Sequence, residues 1–438
     1  MLARHLGVGS GADIADPTTW CYEACASIPA AAPAPGHISG WFAGPLAVPI
    51  GVAIDCIMAI RMILALALVL RIAAALLLPD QSALLPDVAA YRETAAQFSA
   101  HWRSTNLYQM PLYPLLLAAT GPHLGQLAAD IVLSTAIVGL VYLITLEIFR
   151  DRVAALFAGT GAACYPPLIY FAVVGLSETL FITLVLAAFL LWYRGQFTAA
   201  AVPAVFAVLT RPVFDLFAPL LVLVFAITVH RLSWLQTLQR LGVYILIYAA
   251  LMTPWWLNNY SLYGSFVRLT LGGGTALYAG NNPLNHSGGG NVGTDYDTKV
   301  FDVIANPVDR DAALRDAAVT YIADNPGRFL ELAVLKFTRL WRPWPANALY
   351  HSGSVIFISV ASFVPLLILC LFGLFQMFRR KARELAPILV LITGTTAVCM
   401  ILVGTIRYRL PLEPFLIIIA SAAVSNWAHR SGLVSRSP

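Results

Sequence analysis

Charge is scarce in this chain. Of its 438 residues only 11% are Asp, Glu, Lys or Arg while 59% are hydrophobic, against about a quarter charged in an ordinary soluble domain. A soluble core of this length needs a charged surface to stay dispersed, whereas a bilayer replaces that surface with lipid. The scarcity therefore excludes a soluble globular class. Cysteine is equally uninformative as a framework: the six residues Cys21, Cys25, Cys56, Cys164, Cys370 and Cys399 form no CxxC pair and no Cys/His metal spacing, and most lie in apolar runs where cysteine behaves as a small hydrophobe. No disulfide scaffold or zinc site follows. Asp295, Asp297 and Asp302 lack the spacing of a calcium loop, so no metal site is assigned. The net charge of +5 is distributed as flanks of apolar runs, the pattern of membrane orientation and not of nucleic-acid binding.

What the chain does have is long hydrophobic runs. Stretches near the spanning length of about 20 residues occur at 57–79, 126–149, 153–173, 176–193, 197–210, 213–230, 241–257, 353–378, 385–404 and 410–427. They predict an all-α polytopic membrane protein of about ten transmembrane helices, the fifth of them short. An eleventh span stays open over 41–60, which is apolar but broken by Gly44, Pro45, Pro49 and Gly51. The organisation expected is an indeterminate segment 1–56, a transmembrane core 57–257 containing a first outer loop 80–125, a loop element 258–352, and terminal helices with a short tail over 353–438. Met58 and Met62 are candidate alternative starts of translation, to be decided by terminal sequencing of the native protein. One alternating set of connections carries Arg150, Arg152, Arg194, Arg231, Arg240, Arg379, Arg380, Lys381, Arg383, Arg430 and Arg436, so that set is cytoplasmic by the positive-inside rule. The two long loops then lie outside.

Four arginines break that rule. Arg211, Arg407 and Arg409 sit at outer ends of helices, and Arg71 lies about two turns inside the first helix at 1.5 Å per residue. Charges so placed are costly and face a protein interior or a wet cavity. Snorkelling or pairing with loop carboxylates accounts for any one of them; four on one membrane face point to an anion site. In the first outer loop, Asp87 precedes Ala95, Phe98 and Trp102, an amphipathic spacing for a helix lying in the interface. Asp87 is a candidate proton acceptor near the membrane surface, and equally a helix N-cap. The segment 110–118, with Pro111 and Pro114, is too short to span and dips into the interface.

These features occur in a recognisable order. A helix with an internal arginine precedes Asp87, Tyr91 and Ala95 at four-residue spacing, then Pro-Leu-Tyr-Pro-Leu-Leu-Leu-Ala at 111–118. Further on come Tyr165-Pro166-Pro167 with Gly175-Leu176-Ser177-Glu178-Thr179-Leu180, Thr210-Arg211-Pro212, Pro254-Trp255-Trp256 with Asn258-Asn259-Tyr260, the glycine-rich stretch from Gly272 to Tyr278-Ala279-Gly280-Asn281-Asn282, Asn325-Pro326-Gly327-Arg328-Phe329, and Arg407-Tyr408-Arg409-Leu410-Pro411. Over roughly 58–427 the chain resembles the GT-C membrane glycosyltransferases, and within them the branch of lipid A aminoarabinose transferases and protein O-mannosyltransferases. Where that family carries Arg before Asn-Tyr, this chain has Asn258.

The resemblance implies a sugar donor carried on a polyprenyl phosphate, transferred with inversion to an acceptor hydroxyl of a lipid, glycan or protein outside the cytoplasm, in a bacterial inner membrane. It implies Asp87 as general base and Arg71, Arg211, Arg407 and Arg409 as donor phosphate ligands, for which guanidinium forks suit phosphate geometry. Tyr91, Glu178, Tyr278, Asn281 and Asn282 are the implied acceptor or sugar contacts. Glu178 also fits a helix start stabilised by the helix dipole, and Asn281-Asn282-Pro283 fits a simple turn. No cofactor is required by the residues, and a divalent cation is compatible with them. A secondary transporter and an inactive scaffold of the same fold are the alternatives, the second kept open by Asn258.

The arginine distribution generates a topological prediction. Single cysteines in 379–383 should resist a membrane-impermeant thiol reagent on intact cells, while cysteines in 258–352 should react. Labelling at 379–383 would overturn the orientation.

Overall fold

A computed structural model describes residues 50–78, 85–345 and 352–432. The chain divides into a leading unit, Met1–Met62, and a compact unit, Ile63–Pro438. Of the leading unit, residues 50–62 are described and are helical; most of the segment 1–56 and the first part of the open eleventh span lie outside the described residues. Helix α1 is Ile50–Leu77. The helices that follow are α2 (Pro86–His101), α3 (Leu112–Thr120), α4 (Leu124–Phe149), α5 (Arg152–Cys164), α6 (Pro166–Phe171), α7 (Glu178–Tyr193), α8 (Phe197–Thr210), α9 (Phe214–Val224), α10 (Trp234–Tyr263), α11 (Gly272–Gly280), α12 (Pro307–Asp324) and α13 (Pro326–Trp341). The last are α14 (Gly353–Phe378), α15 (Arg380–Ile401), the short α16 (Ile406–Arg409) and α17 (Glu413–Arg430). No strand occurs among the described residues; Val292 and Tyr296 form an isolated bridge.

The fold is that of an all-α integral membrane protein. Six helices are long and apolar enough to cross a bilayer: Met58–Leu77, Leu124–Phe149, Trp234–Tyr263, Gly353–Phe378, Arg380–Ile401 and Ile406–Arg430. Four shorter apolar helices, Arg152–Cys164, Glu178–Tyr193, Phe197–Thr210 and Phe214–Val229, stand where the sequence predicts the other spans. The expected run 153–173 is divided at Tyr165, which is extended (φ −74°, ψ 113°), because the ring of Pro166 disfavours helical backbone at the residue before it. In contrast α10 outruns its expected 241–257. A capping box between Ser233 and Gln236 starts it and left-handed Gly264 (φ 62°) ends it, so Asn258, Asn259 and Tyr260 are helical rather than loop residues.

Burial ranks the helices. The helix ending at Arg430 is 83% buried against 11% for Gly353–Phe378, so α17 is the central rod and α14 faces outward. Phe189 of α7 stacks within 4.6 Å of Phe415 of α17 and 5.3 Å of Phe225 after α9, which ties three helices through one ring. Small residues bring α5 close to its neighbours: Ala154, Ala155, Ala158, Ala162 and Ala163 are fully buried, as membrane helix packing favours.

The second long loop is built from side chains that replace backbone partners. Asp311 of α12 accepts from the N–H groups of Gly274 and Thr275 at 3.0–3.2 Å, satisfying the start of α11, and a Cβ at Gly274 would strike the Asp311 carbonyl. Lys336 of α13 is fully buried. Its ammonium donates to Asn281 Oδ1 at 2.9 Å and to the Ile401 carbonyl at 3.0 Å, joining α11, α13 and the end of α15. Burial lowers the Lys336 amine from 10.5 to about 8. The unfolded chain therefore holds this proton between about pH 8 and 10.5 and the folded chain does not, so the Lys336 contribution to stability rises with pH across that window, by on the order of 3 kcal/mol. Lys336→Met should flatten the thermal stability of the detergent-solubilised protein between pH 8 and 10; an unchanged slope would remove Lys336 as its source.

Candidate active site

Four side chains from four distant parts of the chain meet at one end of the bundle. Glu178 opens α7 directly after Ser177, and its side chain is fully buried. Thr179 beside it is anchored by donating to the Phe171 carbonyl at 2.8 Å. Arg211 is the C-cap of α8, held extended (φ −143°, ψ 119°) because Pro212 follows. Arg407 comes from the four-residue α16. Asp87 sits in the first turn of α2 behind Pro86, whose fixed φ suits the first helical position. The N-cap is Leu85, which has no capping group, and Asp87 in the first turn, though placed to favour the helix dipole, has a further purpose.

That purpose is an ion chain. Asp87 Oδ2 accepts from Arg407 Nη1 at 2.6 Å, Arg407 Nε donates to Glu178 Oε1, and Arg211 Nη1 lies 2.8 Å from the same Glu178 oxygen. Exposure falls along it, from 52% at Asp87 through 28% at Arg407 to none at Glu178, so Asp87 is the solvent end. Two cations and two anions balance. Tyr91, one turn after Asp87, exchanges a hydrogen bond with Ser177 Oγ at 2.9 Å and meets Tyr113 edge-on at 5.0 Å. Burial pushes its phenol up, against the pull of Arg211. Tyr408 lies under Arg211, ring centroid to guanidinium 5.8 Å. Tyr408 is absent from the sequence-derived set, although it stands between the two arginines of the Arg407-Tyr408-Arg409 motif.

Arg211, Arg407, Asp87, Glu178 and Tyr91 thus come together, and the remaining candidates do not. Arg409 points away: its Nε bonds Glu413 at 2.8 Å, its Nη1 bonds the Leu340 and Arg342 carbonyls at 3.1 and 2.8 Å, and its guanidinium lies 3.4 Å from the Phe363 ring centroid. Two residues further along a helical turn face opposite sides, so Arg407 and Arg409 cannot share a ligand. Arg71 is fully buried among α1, α4 and α5, donating to Ser134 Oγ at 2.7 Å and to the Ala67 and Ala163 carbonyls at 3.0 and 3.2 Å. Enough acceptors lie at that depth to hold it there. Asn281 and Asn282 spend their amides on backbone: Asn281 on Leu277 and Ile401, Asn282 on Tyr278 and Asp295, so the turn alternative describes them and sugar contacts do not. Tyr278 stacks on Phe301 at 5.3 Å, within the loop element.

Asn258 has its own use. Its amide accepts from Ser104 N at 3.4 Å and donates to Ser104 O at 3.2 Å, clamping the first long loop to α10. A further buried carboxylate escaped sequence reasoning: Asp130 accepts from Tyr113 at 2.8 Å, Tyr113 from Gln126 at 3.2 Å, and Gln126 from Arg92 at 3.2 Å. Among the described residues no group of three or more His, Cys, Asp or Glu side chains could hold a metal ion, and Asp87 and Glu178 are both committed to Arg407.

The buried pair Arg409–Glu413 is an anchor with a measurable signature. Arg409→Met leaves Glu413 buried and unpaired, so it should destabilise the protein by about 3–5 kcal/mol, and adding Glu413→Leu should recover part of that loss. Wild-type melting of the single variant would show that the pair anchors nothing.

No protein-family model and no curated protein matches the sequence. Solved structures do match. The Archaeoglobus fulgidus oligosaccharyltransferase in the apo form superposes with a TM-score of 0.51 at 13% identity, covering 86% of this chain and 52% of that one. The same enzyme in complex with Zn and sulfate gives 0.50 at 14% identity, covering 85% and 50%. ArnT from Cupriavidus metallidurans bound to undecaprenyl phosphate is matched over 88% of this chain and 80% of that one, at a TM-score of 0.40 and 13% identity. The chain spans about half the length of the oligosaccharyltransferases it matches, and those superpositions carry the structural likeness. The helical architecture of this chain is thus similar to that of about half of the Archaeoglobus fulgidus oligosaccharyltransferase.

Proposed function

We propose that the protein is a glycosyltransferase that moves a sugar from a polyprenyl-phosphate-linked donor to an acceptor hydroxyl at the extracytoplasmic face of a bacterial plasma membrane, with inversion at the sugar carbon. One observation carries the reading: Arg211 and Arg407, 196 positions apart by their numbers, turn both guanidiniums onto one buried carboxylate with Asp87 at the open end.

In this reading the donor phosphate competes with carboxylates for guanidinium. Glu178 holds both arginines together, so two guanidiniums are already gathered when phosphate arrives. As the phosphate takes up Arg407 Nη1, Asp87 loses that partner and becomes the proton acceptor. The acceptor oxygen then attacks the anomeric carbon opposite the phosphate, its proton passes to an Asp87 oxygen, the carbon–phosphate oxygen bond breaks, and the electron pair leaves with a polyprenyl phosphate neutralised by Arg211 and Arg407. Tyr91 holds α2 on Ser177 so that Asp87 keeps its place. No step in this scheme is routed through a metal ion. The clustered charges lie at helix ends, which favours this chemistry over the transporter alternative. The retention of two forks beside the Asn258 clamp favours it over the inactive scaffold.

The test separates binding from chemistry. Arg407→Lys keeps the charge and loses the fork, so the purified full chain should bind polyprenyl phosphate roughly ten- to hundredfold more weakly, equivalent to about 1.5–3 kcal/mol. Asp87→Asn should bind the lipid normally but fail to restore the lipid-linked sugars and surface glycans that mass spectrometry finds altered in a deletion strain. Normal complementation by Asp87→Asn would reduce that carboxylate to a structural partner of Arg407, and undiminished lipid binding by Arg407→Lys would remove the phosphate site.

A further inference from the structure

A second concavity lies between the two long loops. It has a volume of about 180 Å³ and is lined by Tyr108 of the first loop and by Thr275, Tyr296, Thr298, Asp302 and Arg310 of the second. Its chemistry differs from that of the arginine cluster. The cation is already satisfied: Arg310 Nε and Nη2 both donate to the Ile304 carbonyl at 3.1 and 2.9 Å, and its Nη1 lies 3.6 Å from Asp302 Oδ1. The lining is therefore charge-balanced and gives an anion nothing to neutralise. It offers two phenol rings, two hydroxyls and a carboxylate, which suits a ligand with apolar faces and a rim of hydroxyls.

Tyr296 has its phenol pushed up by burial and, second, by the charge of Tyr408, the ring under Arg211, so the concavity is electrostatically linked to the ion chain. The wall from the first loop is independently braced: Tyr263 of α10 donates to the Thr105 carbonyl at 3.3 Å and Asn258 clamps Ser104, so Tyr108 is presented from a fixed backbone.

We propose that this concavity seats a neutral saccharide ring of the acceptor, making the acceptor a glycan, with Tyr108 and Tyr296 packing on the ring and Thr275, Thr298 and Asp302 meeting its hydroxyls. The role as acceptor site rests on the glycosyltransferase reading; the binding of a saccharide does not. Saturation-transfer NMR from the purified full chain in nanodiscs to a set of neutral methyl hexosides tests it, with polyprenyl phosphate binding measured on the same samples. At least one hexoside should receive magnetisation, Tyr108→Ala should weaken its apparent affinity roughly two- to tenfold, and Tyr108→Phe, which keeps the ring, should restore it. Normal lipid binding by Tyr108→Ala confirms that the variant is folded. Absence of transfer to every hexoside, equal transfer in Tyr108→Ala, or displacement of the hexoside by inorganic phosphate each overturns the proposal. A hexoside signal that depends on Tyr108 while Arg407→Lys leaves lipid binding intact would sink the donor reading and spare this one.

Discussion

A carboxylate with no exposure to water cannot stay ionised without cations beside it, and everything at the candidate site follows from satisfying Glu178. Burying one charge costs several kcal/mol even after relaxation, so the helix that begins at Glu178 is stable only when Arg211 and Arg407 arrive together. Neither arginine belongs to the same helix, and one comes from the last tenth of the chain. The ion contact thus acts as a completion signal for the bundle: α7, the end of α8 and the turn before α17 must all be in place before the charge is compensated. Asp87, which is half exposed, then attaches the first long loop to the finished core.

Two other buried cations divide the remaining work. Arg409 faces inward to Glu413, two backbone carbonyls and an aromatic face, so it holds the start of α17 against the end of α13. Lys336 reaches the end of α15 and the close of α11. Adjacent in space but separate in partners, the three contacts let one face of the molecule carry cations of unequal function.

The class of the fold was legible because hydrophobic runs leave little ambiguity; of the arginines expected to share a site near Asp87, Arg211 and Arg407 meet at Glu178 and Arg409 does not. What was not legible depended on direction. Arg407 and Arg409 are alike in sequence, and only the turn of α16 sends one to Glu178 and the other to Glu413. Arg71 was expected among the phosphate ligands because the sequence does not show that Ser134 and the carbonyls of α1 and α5 hold it. The length of α10 was hidden because Asn258 and Asn259 are poor helix formers on their own, yet tertiary bonds to Ser104 and to the Val267 carbonyl hold them helical. Asp130 passed unnoticed since nothing near it in sequence announces Tyr113.

Lys336 grips a backbone carbonyl and a single amide, and glycines at 280 and 404 let main chains approach so closely that any added carbon would strike the Leu402 or Lys336 backbone. The joint between the loop element and the bundle is therefore written almost entirely in main-chain atoms. Val292, Val300 and Val303 stand outside it, 72%, 79% and 87% exposed. Those three positions can be rewritten by drift without loosening the joint, so what the loop presents to solvent is free to change while the main-chain contacts beneath stay as they are.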